Sequence, residues 1–201
     1  MRQSGYEQSA CDVARWQPRE GGGQLRWPTM ESDKGAGGAR SDLLGSPLEL
    51  PCGLRLQNRL VKAAMSDSLA DGAGQPTDEQ IELYRRWALG GVGLSIIGEV
   101  QVDPRYPEKP GNLVSRDARN RRSFELLARA GAEGGSHLWP QLGHAGALAY
   151  APISRPAGPS ALDVDGLVCA ELSLGEIEGL PRRYAHAALR ARSDGFRGVE
   201  V

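Results

Sequence analysis

Few residues in this chain stand at spacings that define a catalytic group by themselves. The histidines, His137, His144 and His186, and the cysteines, Cys11, Cys52 and Cys169, form no CxxC pair and no Cys/His set at metal-ligand spacing. No metal site is expected, and the thiols, with no basic or helix-N-terminal setting, read as structural. The better candidates are polar residues that end apolar runs, Ser66 and Gln141. A hydroxyl and an amide at strand ends can donate hydrogen bonds to a bound group that gathers negative charge. Taken alone, they read as ordinary strand-end polar residues more readily than as a site. His144 reads as a loop brace, and His137 and His186 as scaffold.

The elements that must position these residues start well into the chain. Residues 1 to about 45 are rich in Gly, Ser, Gln and charge, with Gly21-Gly22-Gly23 and Gly35-Ala36-Gly37-Gly38 leaving no hydrophobic period to bury. They read as a disordered extension, and residues 46–201 as the folded part. Beyond Leu48, strand-length apolar runs alternate with helix-length amphipathic stretches. Strands are predicted at Leu60 to Met65, Val92 to Ile97, His137 to Leu142 and Val199 to Val201. Between them come a helix opened by a Thr77/Gln80 capping box and ended at Gly90-Gly91, a second from about Ala118 to Ala132, and a third opened by Ser173/Glu176 and running to about Ser193.

Strict alternation argues for a parallel α/β sheet, closed either as a doubly wound sheet or as part of an eight-stranded barrel. Ser66 to Thr77 is neither GxGxxG nor a phosphate loop, which leans toward the barrel. Pro140, inside a predicted central strand, removes a ladder donor and is expected to mark either a bulge just before Gln141 or relaxed selection on a truncated copy. Glu200, on the last strand, is expected either to pair with a buried Lys62 or to face outward. Asn58 and Arg59 precede the first strand, where such residues serve stability. Tyr84 belongs to the apolar stripe of the first helix.

Composition excludes more than it proposes. A net charge of -1 with interspersed acidic and basic residues leaves no basic stripe for nucleic acid. No run approaches the roughly 20 apolar residues of a membrane span, and the polar start has no signal-peptide core, so a cytoplasmic location is expected.

A set of strand-end motifs, in order, carries a family resemblance. Asn58-Arg59-Leu60-Val61-Lys62-Ala63-Ala64-Met65-Ser66, Pro76-Thr77, Tyr84 with Gly90-Gly91-Val92-Gly93-Leu94, Pro110-Gly111-Asn112, Gln141-Leu142-Gly143-His144-Ala145-Gly146, Pro159-Ser160-Ala161 and Gly195-Phe196-Arg197-Gly198-Val199-Glu200-Val201 together resemble the old yellow enzyme family over about residues 46 to 201. The resemblance implies a TIM (β/α)8 barrel, here truncated after about four strands, with FMN across its C-terminal mouth and NAD(P)H as reductant. It implies that Ala64, Met65 and Ser66 line the isoalloxazine ring, with Ser66 near the flavin O4 and N5. Gly98 and Glu99 fall where the family has a small residue or an amide beside the ring, and Gln141 where a glutamine bonds its pyrimidine side. A carboxylate beside a ring that gains negative charge is out of place, so Glu99 is expected to turn away or to sit one position off.

The implied reaction reduces an activated C=C bond of a small electrophilic alkene by hydride transfer from flavin N5. The family's substrate-gripping His and His or Asn, and its proton-donating Tyr, fall beyond Val201, so no catalytic residue is assigned here. The alternative is a noncatalytic half-barrel remnant or assembly module. Open sheet edges would favour aggregation or pairing of two copies into a homo-oligomer. Departures from the family pattern are Ala64 in place of Pro and Ala147 in place of an Arg.

Overall fold

The computed structural model describes residues 43–115 and 121–201. All of the expected extension except residues 43–45, which are helical, lies outside the described residues, as do Cys11 and the expected start of the second helix at Ala118.

A short antiparallel hairpin, β1 (Leu48–Glu49) with β2 (Arg55–Leu56), precedes the main sheet. Its end is tied beneath that sheet: Gln57 Nε2 donates to the Val92 carbonyl at 3.1 Å and Asn58 Nδ2 to the Gly91 carbonyl at 2.6 Å. A ring nitrogen of His137 meets the Arg55 carbonyl at 3.1 Å, which gives that histidine a scaffold role.

The sheet itself is β3 (Val61–Met65), β4 (Leu94–Gln101) and β5 (His137–Gly143), all parallel and in sequence order. The final segment continues the same progression: Glu200 bridges Gln141 in parallel, its N–H donating to the Pro140 carbonyl at 3.0 Å and its carbonyl accepting from Leu142 N–H at 2.8 Å. A doubly wound sheet reverses strand order at a switch point; here each new strand adds to the same side, which is the winding of a barrel.

The two faces of this arc differ. On β5, Leu138, Pro140 and Leu142 are buried and alternate with half-buried His137, Trp139 and Gln141. On β3, Val61, Ala63 and Met65 are exposed and alternate with half-buried Lys62 and Ala64. Three helices cover the buried face among the described residues: α1 (Asp78–Leu89), α2 (Arg121–Ala130) and α3 (Leu174–Ser193). Ile81, Tyr84, Phe124, Leu127 and Ala187 pack with Ile97, Val100, Leu138 and Leu142 in one core, the side-chain arrangement that period-3.6 and period-2 patterns together require.

Local signals start the helices as expected, with one change. Ser173 and Glu176 form a complete capping box. Thr77 caps α1 through Gln80 N–H, but the Gln80 side chain turns away and gives both contacts to the Asp67 carboxylate, at 2.9 and 3.0 Å. The Tyr84 hydroxyl donates to the same carboxylate at 3.0 Å, so the core tyrosine also anchors the loop after β3. Burial, and then the Asp67 charge, push the Tyr84 pKa up.

Two expectations about strands are corrected. β4 begins two residues later than Val92 and runs on to Gln101, through Gly98 and Glu99, because a bulge carries the strand past its polar interruption. That bulge lies on β4, where Gly98 and Glu99 stand opposite the single residue Gln141, and not on β5 before Gln141. Pro140 leaves the β4–β5 ladder intact: its carbonyl accepts from Glu200, so its absent N–H is on the side of the last segment. There Gly198 lies against Trp139, and a Cβ on it would meet the indole at 2.4 Å. Between β5 and α3, a three-stranded sheet, β6 (Ala157–Gly158), β8 (Leu167–Glu171) and β7 (Leu162–Val164), replaces what reads in sequence as a long Pro- and Gly-rich excursion.

Candidate active site

The C-terminal ends of β3, β4 and β5 converge on the Gly98–Glu99 bulge. Gly98 is necessary there because a Cβ would lie 2.4 Å from the Met65 carbonyl carbon and 2.7 Å from Ser66 N, backbone atoms that cannot rotate away. Glu99 itself has φ +59°, a left-handed conformation that L residues other than Asn, Asp and His seldom adopt. This twist aims its N–H across to β5, where the Gln141 Oε1 accepts it at 3.2 Å. The other end of that amide, Nε2, donates to Glu200 Oε1 at 2.8 Å. Gln141 is therefore held from both sides and retains one N–H and one acceptor lone pair.

Glu200 takes neither expected role. Lys62 lies on the helix side, donating to the Ile96 carbonyl at 2.8 Å and sitting over Trp87 at 4.6 Å and Tyr84 at 5.2 Å. Desolvation there pulls the Lys62 pKa down, against the pull of Asp67. Glu200 instead faces the same side of the sheet as Gln141 and fixes its amide.

The loop after β4 completes the cluster with residues that sequence reading did not single out. Asn112, 3% exposed, accepts from the Lys109 N–H at 2.7 Å and donates through Nδ2 to Glu99 Oε2 at 3.4 Å. Lys109 Nζ donates to Ser66 Oγ at 3.3 Å and lies 4.0 Å from Glu108 Oε2. The carboxyl groups of Glu99 and Glu108 lie side by side and shift each other in opposite directions. The bond from Glu108, with those from Ser66 and Asn112 and the Lys109 charge, holds Glu99 below the usual carboxylate range in spite of its burial. The same bond, with burial and the Glu99 charge, pushes Glu108 above that range. The displaced carboxylate expected at position 99 is thus present and compensated. Only Asn112 had a sequence signal, as part of Pro110-Gly111-Asn112; Glu108 and Lys109 follow no period.

A second group braces the same loop. Asp103 is 1% exposed and binds Arg105 Nη2 at 2.9 Å and Arg183 Nη1 at 3.3 Å, with His144 Nε2 at 4.0 Å. Burial raises the Asp103 pKa, but the Arg105 hydrogen bonds more than offset it and the group stays below its ordinary range. Arg105 also reaches Glu176 at 3.1 Å, so the loop is pinned to α3. His144 packs on Tyr106, ring centroids 4.8 Å apart, and burial lowers its pKa ahead of opposing and reinforcing charges from Asp103, Arg183 and Arg105. It is a brace, as its sequence setting indicates. His186 lies exposed on α3 and takes no part in this cluster.

All six sequence candidates, Ala64, Met65, Ser66, Gly98, Glu99 and Gln141, lie at or beside these strand ends. Contacts join five of them, and Ala64 is the neighbour of Met65 in β3. The arrangement presents an amide N–H, an ammonium group and a half-exposed methionine at the mouth of a parallel sheet.

Residues 44–201 match the NADH:flavin oxidoreductase / NADH oxidase family, and the chain belongs to that family. It is 32% identical over 179 residues to the NADH-dependent flavin oxidoreductase iliE of Hypocrea jecorina, covering 77% of this chain and 45% of that protein. It is 33% identical over 156 residues to the NADH oxidase of Thermoanaerobacter brockii, covering 74% of this chain and 24% of that one. The chain thus spans less than half the length of these curated relatives. Among solved structures, the old yellow enzyme of Trypanosoma cruzi superposes with a TM-score of 0.72 at 22% identity, over 80% of this chain and 51% of the other. Morphinone reductase gives 0.70 at 24% identity over 78% and 48%. These neighbours are TIM barrels, and the arc of β3, β4, β5 and the Glu200 segment is part of that fold. Membership implies FMN as cofactor and NAD(P)H as reductant.

The residues present fit a flavin ring. A ring that accumulates negative charge on reduction calls for nearby donors and no uncompensated carboxylate. The free Gln141 N–H, the Lys109 ammonium group and a Glu99 carboxylate already tied to Ser66, Asn112 and Glu108 meet both requirements.

Proposed function

We propose that residues 46–201 form the ring-binding part of an FMN-dependent NAD(P)H oxidoreductase that reduces the activated C=C bond of small electrophilic alkenes. FMN supplies the hydride-accepting and hydride-donating atom, N5, when bound. Ala64, Met65 and Ser66 line one edge of the ring, Gly98 and Glu99 the next, and Gln141 directs its remaining N–H and lone pair to the pyrimidine side. The Glu99 N–H and Glu200 orient that amide, so its donor is set in place before the cofactor arrives.

The observation that supports this reading most is the two-sided grip on Gln141 beside a bulge, at the parallel strand ends where barrels of this kind place their sites. Protein purified from its complete reading frame is expected to carry flavin absorbance and to oxidise NAD(P)H in the presence of an activated enone. Replacing Gln141 by Ala should weaken FMN binding about tenfold, one hydrogen bond's worth. Failure to bind FMN after reconstitution would overturn the proposal.

A further inference from the structure

We propose that Lys109 joins Ser66 as a donor to the flavin at the O4/N5 edge, and that its charge raises the flavin's electron affinity more than the neutral hydroxyl does. This inference rests on the ring-site reading above and adds a residue to it.

The hydroxyl of Ser66 has one proton to give. Its oxygen accepts from Lys109 Nζ at 3.3 Å, which brings the ammonium group to the same edge. Ser66 by itself offers a ring carbonyl at that edge a single neutral donor. An ammonium group has three N–H bonds; one goes to Ser66, and Glu108 Oε2 at 4.0 Å is beyond hydrogen-bond reach.

The lysine is also held in place rather than trailing in solvent. Its backbone N–H is bound at 2.7 Å by the buried Asn112 side chain, and prolines Pro107 and Pro110 flank the Glu108-Lys109 pair. Its side chain is 44% exposed, so the remaining N–H bonds are open to a ligand. Two carboxyl groups beside an ammonium would ordinarily cancel its field. Here the Glu99 carboxylate is turned onto the Asn112 amide and the Glu108 Oε2 stands 4.0 Å from the ammonium group, so neither closes on it. A ring that gains electrons next to Lys109 then meets a positive charge that has no reorganising to do.

The test measures the midpoint potential of FMN bound to the full-length holoprotein, by dye-coupled reduction, in Lys109→Met, Lys109→Arg and Ser66→Ala. Lys109→Met should bind the reduced cofactor about tenfold more weakly relative to the oxidised one, a fall of about 30 mV for a two-electron couple. Lys109→Arg should restore most of that difference, and Ser66→Ala should shift the potential less than Lys109→Met. Loss of FMN from Lys109→Met with retention by Lys109→Arg would equally support the assignment. An unchanged potential in a flavin-loaded Lys109→Met protein, equal shifts for Met and Arg, or a larger shift in Ser66→Ala would overturn it. Those outcomes leave the ring-site reading standing, whereas a wild-type protein that takes up no flavin removes both.

Discussion

Asp103 is where the site's stability can be tested most directly. Replacing it with Ala removes a buried carboxylate that accepts from Arg105 Nη2 at 2.9 Å, from the Arg105 backbone N–H at 3.0 Å and from Arg183 Nη1 at 3.3 Å. Breaking a fully buried ion pair costs about 3–5 kcal/mol, and an exposed one about 0–1 kcal/mol. Here the carboxylate is 1% exposed but its partners are 49% and 39% exposed, so water can take up the freed guanidinium groups. The expected loss therefore falls between the limits, at about 2 kcal/mol. In a protein of this size that corresponds to a fall in Tm of about 4–8 °C. Asp103→Asn, which keeps an acceptor without the charge, should lose about half as much. Urea unfolding of the purified protein, with an unchanged m-value, is the assay. A loss below about 0.5 kcal/mol for Asp103→Ala would refute the view that this residue pins the loop to α3.

The Glu99–Glu108 pair makes the same loop sensitive to pH. Glu108 has its folded pKa raised, so its contribution is complete below the ordinary value of 4.5 and is lost as pH climbs through the raised value. Glu99 is depressed, so its contribution is present above 4.5 and disappears only as pH falls through its lowered value. The loop should accordingly hold best near pH 4.5 and loosen as pH climbs through the raised Glu108 value. Glu108→Gln, which keeps a donor toward Glu99, should remove the loss on raising pH; parallel stability-versus-pH curves for the two proteins would contradict this. Gly98→Ala forces a Cβ to 2.4 Å from the Met65 backbone, and the displaced strand should cost about 1–3 kcal/mol while moving Ser66. Unchanged thermal stability in that variant would show that β3 can yield at the bulge.

What the amino-acid sequence determined by itself is everything that depends on neighbours a few residues away. Ser173/Glu176 caps a helix because both groups lie within one turn, and the stripes of Phe124, Leu127 and Ala128 or Leu138 and Leu142 follow from helix and strand periods. The order of strand-end motifs was equally legible, and it placed Ser66, Gly98, Glu99 and Gln141 at one end of the sheet. The tertiary structure decided the rest. Gln80 satisfies the capping signal only in part because Asp67, thirteen positions away, offers a buried carboxylate. The polar interruption at Gly98-Glu99 reads locally as a strand end; the close approach of Met65 and the single opposing residue Gln141 make it a bulge instead. Glu200 meets Gln141 rather than Lys62 because strand parity sends the lysine to the helix side. Lys109, Glu108 and Asp103 carry no periodic signal, since a loop's side chains are aimed by the elements it spans, and those elements are brought together only when the sheet curls.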